Sequence, residues 1–175
     1  VLASCLVTAV AAVQVGVYAG ATGQLRPGTL RRHLRFFLAV GGLAGIATSI
    51  SYVAVQYIDP GTASLLSESS ILFGVLLGVF WLKDRLTTRQ GVGVAVALVG
   101  VATITFQPGD YLRIGALLVL TFAALYATHA GVVKRYGGHI AFTEFFFWRL
   151  AIMAGVMAVT TTALAEPVDI AVWIR

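Results

Sequence analysis

The sequence predicts an all-α, polytopic membrane protein, a bundle of about six transmembrane helices. Hydrophobic residues make up 59% of the 175 positions and charged residues only 11%, whereas a soluble domain carries about a quarter charged residues. The charges also gather in short gaps between long apolar runs, each near the ~20 residues that a helix needs to cross a bilayer. Strand edges cannot be satisfied in lipid and the alternation of a β-barrel is absent, so we interpret the runs as helices.

Six apolar runs account for most of the chain. They cover residues 1–20, 36–58, 62–82, 90–106, 114–133 and 141–165. Residues that favour turns or carry charge separate the runs, at Arg26-Pro27-Gly28, Asp59-Pro60-Gly61, Lys83-Asp84-Arg85, Gln107-Pro108-Gly109-Asp110 and Gly137-Gly138. Because every connection is short, we expect consecutive helices to be antiparallel neighbours.

The basic residues predict the orientation of these helices. Lysine and arginine gather in the first, third and fifth connections, at Arg26, Arg31, Arg32, Arg35, Lys83, Arg85, Arg89, Lys134 and Arg135. The second and fourth connections hold Arg113 alone. Cytoplasmic loops are the ones enriched in lysine and arginine, so these three connections should face the cytoplasm and residue 1 should start outside. That start, and the absence of an initiating methionine, lead us to expect a piece of a longer protein.

Composition argues against several kinds of function. A net charge of +5 would suit nucleic acid in a soluble protein, but here orientation in the membrane explains the basic loops. Cys5 is the one cysteine, so neither an intramolecular disulfide nor a multi-cysteine metal site is predicted. His33, His129 and His139 are scattered, and no grouping of acid, base and nucleophile emerges. We therefore expect no enzyme, no metal and no cofactor.

Two adjacent segments carry a resemblance to a known family. The first is Tyr57-Ile58-Asp59-Pro60-Gly61-Thr62-Ala63-Ser64-Leu65-Leu66, and the apolar helix that follows it closes in Leu82-Lys83-Asp84-Arg85-Leu86-Thr87 before the glycine-rich run Gly91–Gly100. This pattern resembles the EamA-type transporters of the drug/metabolite transporter superfamily over residues 36–160 and, with a helix opening at Arg149 that is similar to the start of the family's second repeat, over the whole chain. Asp84 stands where glutamate is commoner in that family, and Ile71 stands roughly where the family often has proline.

The resemblance implies a ten-helix protein built of two inverted five-helix repeats. By that analogy the chain is a fragment that holds helices two to seven. Residues 1–107 would be an incomplete first repeat, and residues 108–175 would begin the second. The orientation predicted from the charges is the one that the resemblance requires. The runs 1–20 and 141–165 share no convincing identity, so the sequence itself does not show the repeat.

The resemblance also implies a secondary transporter in the bacterial inner membrane. Such a protein would move a small metabolite or a drug-like solute by alternating access, as an exporter or exchanger, with protons as a candidate coupling ion. Its expected partners are the lipid bilayer and the solute, with no nucleic acid, and oligomer formation stays open. The alternative is a structural or partner-binding membrane subunit that transports nothing. The sequence does not identify the substrate.

Two charged residues inside predicted spans are the leading candidates for a transport site. Glu68 lies about 10 Å inside its helix, and a carboxylate in hydrocarbon costs about 2.5 kcal/mol or more. It should therefore face an aqueous cavity, bind a partner or carry a proton. Arg149 lies about 12 Å from the inner end of its helix, where it could recognise an anion, pair with Glu68 or extend toward the interface. Glu144, five residues earlier, is expected nearer the surface.

Neutral polar side chains at membrane depth form a second set of candidates. They are Gln14, Tyr52, Gln56 and Tyr126. Each could line a solute path by hydrogen bonding, and each could equally anchor its helix at the interface or join two helices. Two glycine pairs, Gly41 with Gly45 and Gly74 with Gly78, have the four-residue spacing that lets helix backbones approach closely. We expect both pairs to lie at helix contacts.

Overall fold

The computed structural model describes residues 2–24, 27–105, 110–138 and 140–163, and the regular elements in these ranges are all α-helices. They are α1 (Leu2–Ala21), α2 (Pro27–Arg32), α3 (Leu34–Ala54), α4 (Pro60–Ser67), α5 (Ser69–Phe80), α6 (Thr88–Thr105), α7 (Asp110–Tyr136) and α8 (Phe142–Ala163). The predicted all-α fold is therefore confirmed. Each predicted apolar run corresponds to one helix, or to α4 and α5 together.

Five of these segments are long and apolar enough to cross a membrane. They are Leu2–Ala21, Leu34–Ala54, Pro60–Phe80, Ile114–Tyr136 and Phe142–Ala163. The predicted span 90–106 corresponds to α6, whose apolar part Thr88–Thr103 is shorter. At about 1.5 Å per residue it is roughly 24 Å long, less than the ~30 Å hydrocarbon core. The chain is a multi-pass membrane protein, as predicted.

The chain forms two compact units. The first unit comprises Val1–Ile46 and Ala141–Arg175, and the second comprises Ala47–Ile140. The boundary between them lies within α3 and again just before α8. The predicted division at residue 107 concerns the equivalence of two repeats and stays a prediction.

In the first unit, α8 packs against α1 and the first part of α3. Thr8 of α1 lies 3.8 Å from the sulfur of Met157, which is completely buried. Gly41 and Gly45 of α3 face α8: a Cβ added to Gly41 would lie 2.7 Å from Cβ of Ile152, and one on Gly45 would lie 2.8 Å from Cβ of Val156. The expected close helix contact at this glycine pair is confirmed.

The second unit has its core between the end of α3, α4 and α7. The buried side chains of this core are Ala54, Ile58, Ala63, Leu66, Ala116 and Val119. Gly115 of α7 lies against the turn after α3, where an added Cβ would be 2.7 Å from Cβ of Ile58. This turn therefore packs directly against α7.

The glycine pair of α5 does not form the helix contact that its spacing predicts. A Cβ on Gly74 would meet nothing within 4 Å among the described residues. A Cβ on Gly78 would lie 3.2 Å from Oδ2 of Asp84, which belongs to the loop after α5. The prediction for this pair is wrong, because the four-residue spacing of two glycines does not say whether a neighbouring helix covers the helix face on which they lie.

Local hydrogen bonds explain where α4 and α6 begin. Asp59 caps α4 by accepting from the backbone N–H of Thr62 at 3.0 Å, and Pro60 follows at the first helical position. Hydrogen bonds from Thr62 lower the pKa of the Asp59 carboxyl, and the bond from the Thr62 hydroxyl has a larger effect than the bond from its backbone N–H. At α6, the N–H of Thr87 donates to Oε1 of Gln90 at 2.9 Å, and the N–H of Gln90 donates to the Thr87 hydroxyl at 3.4 Å. This reciprocal pair is a capping box.

Candidate functional site

The α-helical hydrogen bonding of one membrane span has a one-residue break at Glu68, where the backbone stays in the right-handed helical region. α4 ends at Ser67 and α5 begins at Ser69, while Glu68 between them has φ −64 and ψ −16. The Ser67 hydroxyl donates to the Ala63 carbonyl at 2.7 Å, and the Ser69 hydroxyl donates to the Leu66 carbonyl at 2.6 Å. Serine hydroxyls that bond to preceding carbonyls compete with the backbone ladder and bend helices. The interruption therefore arises without a proline.

Glu68 lies near the middle of the span. It is eight residues after Pro60, hence about 12 Å along the helix axis and slightly deeper than predicted. Its side chain is exposed, while Leu66 and Ser69 beside it are buried. Within the described residues, no hydrogen bond or ion pair engages its carboxylate. A carboxylate on the outside of this unit at that depth needs water, a partner or a proton.

Three other predicted site residues belong to the same unit. Tyr52 on the last turn of α3 is 47% exposed, and Tyr126 on α7 is 45% exposed. Gln56 is exposed in the turn that follows Ala54, two residues beyond the helix Leu34–Ala54, and its place at membrane depth stays a prediction. No hydrogen bond joins these side chains to Glu68 in the described part of the unit.

Tyr126 is part of an aromatic contact along α7. Its ring stacks on the ring of His129, with centroids 5.8 Å apart, and His129 is buried. Phe122 lies on the other side of Tyr126 at 5.8 Å. The exposed hydroxyl-bearing ring is thus held by its neighbours one turn away on the same helix.

The remaining two predicted residues belong to the first unit. Gln14 is exposed on α1. Arg149 is half-buried on α8, and its backbone carbonyl would lie 3.2 Å from a Cβ on Gly41. Arg149 thus lies at the level where α3 and α8 approach most closely. Its pairing with Glu68 would join residues of different units and stays a prediction.

Glu144 lies nearer the helix end than Arg149, as expected, and it is buried there. It lies in the first turn of α8 but is only 5% exposed, and its Oε1 accepts a hydrogen bond from the Thr29 hydroxyl at 3.2 Å. Counting residues from the helix end does not reveal this burial, because the cover comes from Thr29 of α2. The sequence signal for Glu144 is its place in the first turn of a helix, where the helix dipole favours an acidic side chain.

A second group that the sequence analysis missed ties α5 to α7. Asp84 and Lys134 form an ion pair with a distance of 2.7 Å between Oδ2 and Nζ. Arg135 donates to the backbone carbonyl of Trp81 at 3.0 Å. The central carbon of its guanidinium lies 5.4 Å from the centroid of the Trp81 ring. The acidic residue of the segment Leu82–Thr87 therefore makes an exposed contact with α7 in this protein.

The described residues do not bring three histidine, cysteine, aspartate or glutamate side chains together as a metal site. The carboxylate of Glu68 itself offers hydrogen bonding, ion pairing and proton transfer. A carboxylate at the junction of two helical segments can hold a cation, an ammonium group or a proton.

Comparison with known proteins finds bacterial transporters. The chain is 32% identical over 100 residues to a protein of Streptantibioticus cattleyicolor named a probable terminal-alkyne amino-acid exporter, covering 57% of this chain and 33% of that protein. It is 29% identical over 102 residues to the uncharacterized transporter YdfC of Bacillus subtilis, covering 55% and 33%. An uncharacterized transporter of Clostridium kluyveri is 26% identical over 132 residues, covering 67% and 42%.

The chain thus spans less than half the length of the curated relatives it matches. No solved structure matches it. The sequence model of the EamA-like transporter family matches residues 1–106, which is more than half of the chain. The match confirms the resemblance that the segments at 57–66 and 82–87 indicate, and the chain belongs to the EamA-like transporter family.

Proposed function

We propose that this chain is part of a secondary transporter that exports or exchanges a small metabolite or drug-like solute by alternating access. The observation that carries the proposal is the exposed carboxylate of Glu68 inside the span Pro60–Phe80, which no hydrogen bond or ion pair engages within the described residues. Ionisable side chains within membrane spans mark substrate and ion pathways. A transporter fits this arrangement better than a structural subunit, which needs no carboxylate at that depth.

Glu68 favours a solute or ion with a positive charge or with hydrogen-bond donors. Glu68 supplies a carboxylate, a group that accepts hydrogen bonds and pairs with cations. Ser67 and Ser69 already use their hydroxyls on preceding carbonyls, so they add no donor for an anion. An ammonium group or a proton is the natural counterpart of Glu68.

The similar proteins are named as transporters, which supports the proposed transport activity. One is named as an amino-acid exporter, and an amino acid carries the ammonium group that Glu68 would recognise. We therefore propose amino acids and related amines as the first solutes to examine, with export as the direction.

Solute flux in proteoliposomes tests the proposal. The full-length protein that contains this chain is reconstituted, and exchange of labelled amino acids, amines and organic anions is measured against empty vesicles. We expect exchange of at least one solute that carries an ammonium group. A folded, correctly inserted protein that moves none of these solutes would support the alternative, a membrane subunit without transport activity.

A further inference from the structure

Three arginines form a basic patch where α2 runs into α3. The patch consists of Arg31, Arg32 and Arg35. Helical hydrogen bonds continue across the junction, from the N–H of His33 to the Thr29 carbonyl at 3.1 Å and from the N–H of Phe37 to the His33 carbonyl at 3.0 Å. Arg35 therefore follows Arg32 by three and Arg31 by four helical residues. Side chains at these spacings are neighbours, about 5–6 Å apart at Cβ.

No counter-charge within the described part of the chain neutralises this patch. All three arginine side chains are exposed, and neither an ion pair nor a hydrogen bond engages them there. Glu144 is the one acidic residue among the described residues of the first unit, and it is buried beneath Thr29. Like charges at these spacings repel each other and destabilise a helix. An external anion would remove that cost.

The patch borders an open hollow of about 450 Å³, lined by Arg31, Arg32, His33, Leu34, Arg35 and Phe36. Its size is within the ~300–1,000 Å³ of small-molecule sites. The lining combines guanidinium groups, which match phosphate oxygens with two parallel hydrogen bonds, with two apolar side chains. The lining thus combines positive charge with apolar side chains.

The apolar lining residue Phe36 contacts the start of α8. Phe36 lies 6.1 Å from the ring of Phe145, so the patch and α8 are in contact within one unit. Phe142 is 76% exposed and stacks on Phe146 at 5.7 Å, so the first turns of α8, which contact Phe36 through Phe145, carry an exposed aromatic pair. A ligand with an anionic head and apolar tails would cover both surfaces together.

We propose that Arg31, Arg32 and Arg35 bind the phosphate headgroup of an anionic phospholipid in the cytoplasmic leaflet, and that its acyl chains lie along Phe142 and Phe146. The basic residues lie in a connection that the charge distribution assigns to the cytoplasm. Clusters of arginine beside a membrane helix attract anionic lipids, each contributing about fivefold in affinity. This site is independent of the solute path at Glu68, because it requires no transport.

Lipid binding to the full-length protein tests the site. The purified protein is titrated in detergent with phosphatidylglycerol and with phosphatidylcholine, and bound lipid is counted by native mass spectrometry. The variant is the triple change Arg31→Gln, Arg32→Gln and Arg35→Gln. We expect its preference for phosphatidylglycerol over phosphatidylcholine to fall by about tenfold or more.

A matched control removes the same charge elsewhere on the predicted cytoplasmic side. Lys83, Arg85 and Arg89 are also exposed, and the triple change of these residues to Gln should keep the lipid preference within about twofold. An equal loss in both triple variants would overturn the proposal, because it would show only a general effect of net charge. Retention of the preference in the Arg31, Arg32 and Arg35 variant would also overturn it.

Two further arms keep the result decisive. If the triple glutamine variant does not fold, Arg31→Lys, Arg32→Lys and Arg35→Lys keep the charge but lose the two parallel hydrogen bonds, and should still weaken the preference. An unchanged preference in that lysine variant would contradict the proposed phosphate contact.

Inorganic phosphate is added as a competitor: the proposal expects no displacement of phosphatidylglycerol at millimolar concentration. Full displacement would show a site for free anions instead of lipid.

Discussion

The ammonium nitrogen of Lys134 lies 2.7 Å from Oδ2 of Asp84, although 50 residues separate them in sequence. Asp84 belongs to the loop after α5, and Lys134 belongs to the last turn of α7. The same loop touches α7 through Trp81, whose carbonyl accepts from Arg135 at 3.0 Å. One end of α5 is thus tied to one end of α7 by two polar contacts.

The ion pair should contribute little to stability, because its two side chains are 61% and 52% exposed. Exposed ion pairs contribute about 0.2–1 kcal/mol. A double-mutant cycle with Asp84→Asn and Lys134→Gln, measured by thermal unfolding in detergent, should give a coupling free energy in that range. The coupling should shrink in high salt. A coupling of several kcal/mol that does not respond to salt would contradict an exposed pair.

Gly45 and Gly74 should respond in opposite ways to alanine. In Gly45→Ala the new Cβ meets Cβ of Val156 at 2.8 Å, an atom fixed to the backbone of α8, so the helices must separate at a cost of about 1–3 kcal/mol. In Gly74→Ala the methyl group meets open space, and alanine favours the helix by about 0.5–1 kcal/mol. Thermal midpoints in detergent compare the two variants directly. Equal midpoints would argue against a close contact between α3 and α8.

The capping box should matter for α6, which is the shorter apolar helix. Thr87→Ala removes the acceptor for the N–H of Gln90 and should destabilise the protein by about 1 kcal/mol. Thr87→Ser keeps the hydroxyl and serves as the control. The measurement is the unfolding midpoint in a mild detergent with increasing denaturant. A serine variant as unstable as the alanine variant would show that the hydroxyl is not the reason.

The sequence predicted the helices well because apolar length and turn residues are local properties. It placed the end of α3 four residues too late, at 58 instead of Ala54. The residues after Ala54 are still largely apolar, and Ile58 is buried in the core of the second unit. Burial of the turn against α7 explains the apolar residues there, and a composition argument cannot distinguish such a turn from one more helical turn.

The site was predictable in its chemistry and not in its geometry. A carboxylate in an apolar run marks Glu68 from the sequence alone. The break at that residue was missed, because Ser67 and Ser69 disturb a helix less visibly than proline does. The partner of Asp84 was missed for another reason: positive charge places loops on one side of the membrane, but packing decides which loops touch.

Labelling of single cysteines should establish the orientation. In a Cys5→Ala background, Gly61→Cys lies exposed beside the start of α4 and should react with an impermeant thiol reagent from outside. Arg85→Cys is exposed in the loop after α5 and should react only after the membrane is permeabilised. The reverse pattern would overturn the orientation. The Cys5→Ala protein without an added cysteine shows the background reaction.

Glu68 should control the response of transport to pH if it exchanges a proton during the cycle. Glu68→Gln keeps the shape and most of the hydrogen bonding but cannot ionise, so uptake by the full-length protein should lose its pH dependence while insertion and folding remain intact. Asp59→Asn is the matched control, because that carboxylate caps α4 outside the span. Its substitution should leave the pH profile of uptake unchanged.

A purely structural role for Glu68 predicts a different outcome for the same variant. If the carboxylate serves only to hold Arg149, Glu68→Gln should impair folding, since a charge left without its partner costs more than a neutral pair. Adding Arg149→Gln should then restore part of the lost stability. The measurements are the thermal midpoint in detergent for both variants and the rate of solute exchange between pH 5 and 8. A Glu68→Gln protein with unchanged stability, exchange rate and pH profile would exclude both roles, because neither a titrating carboxylate nor a needed partner could be removed without effect.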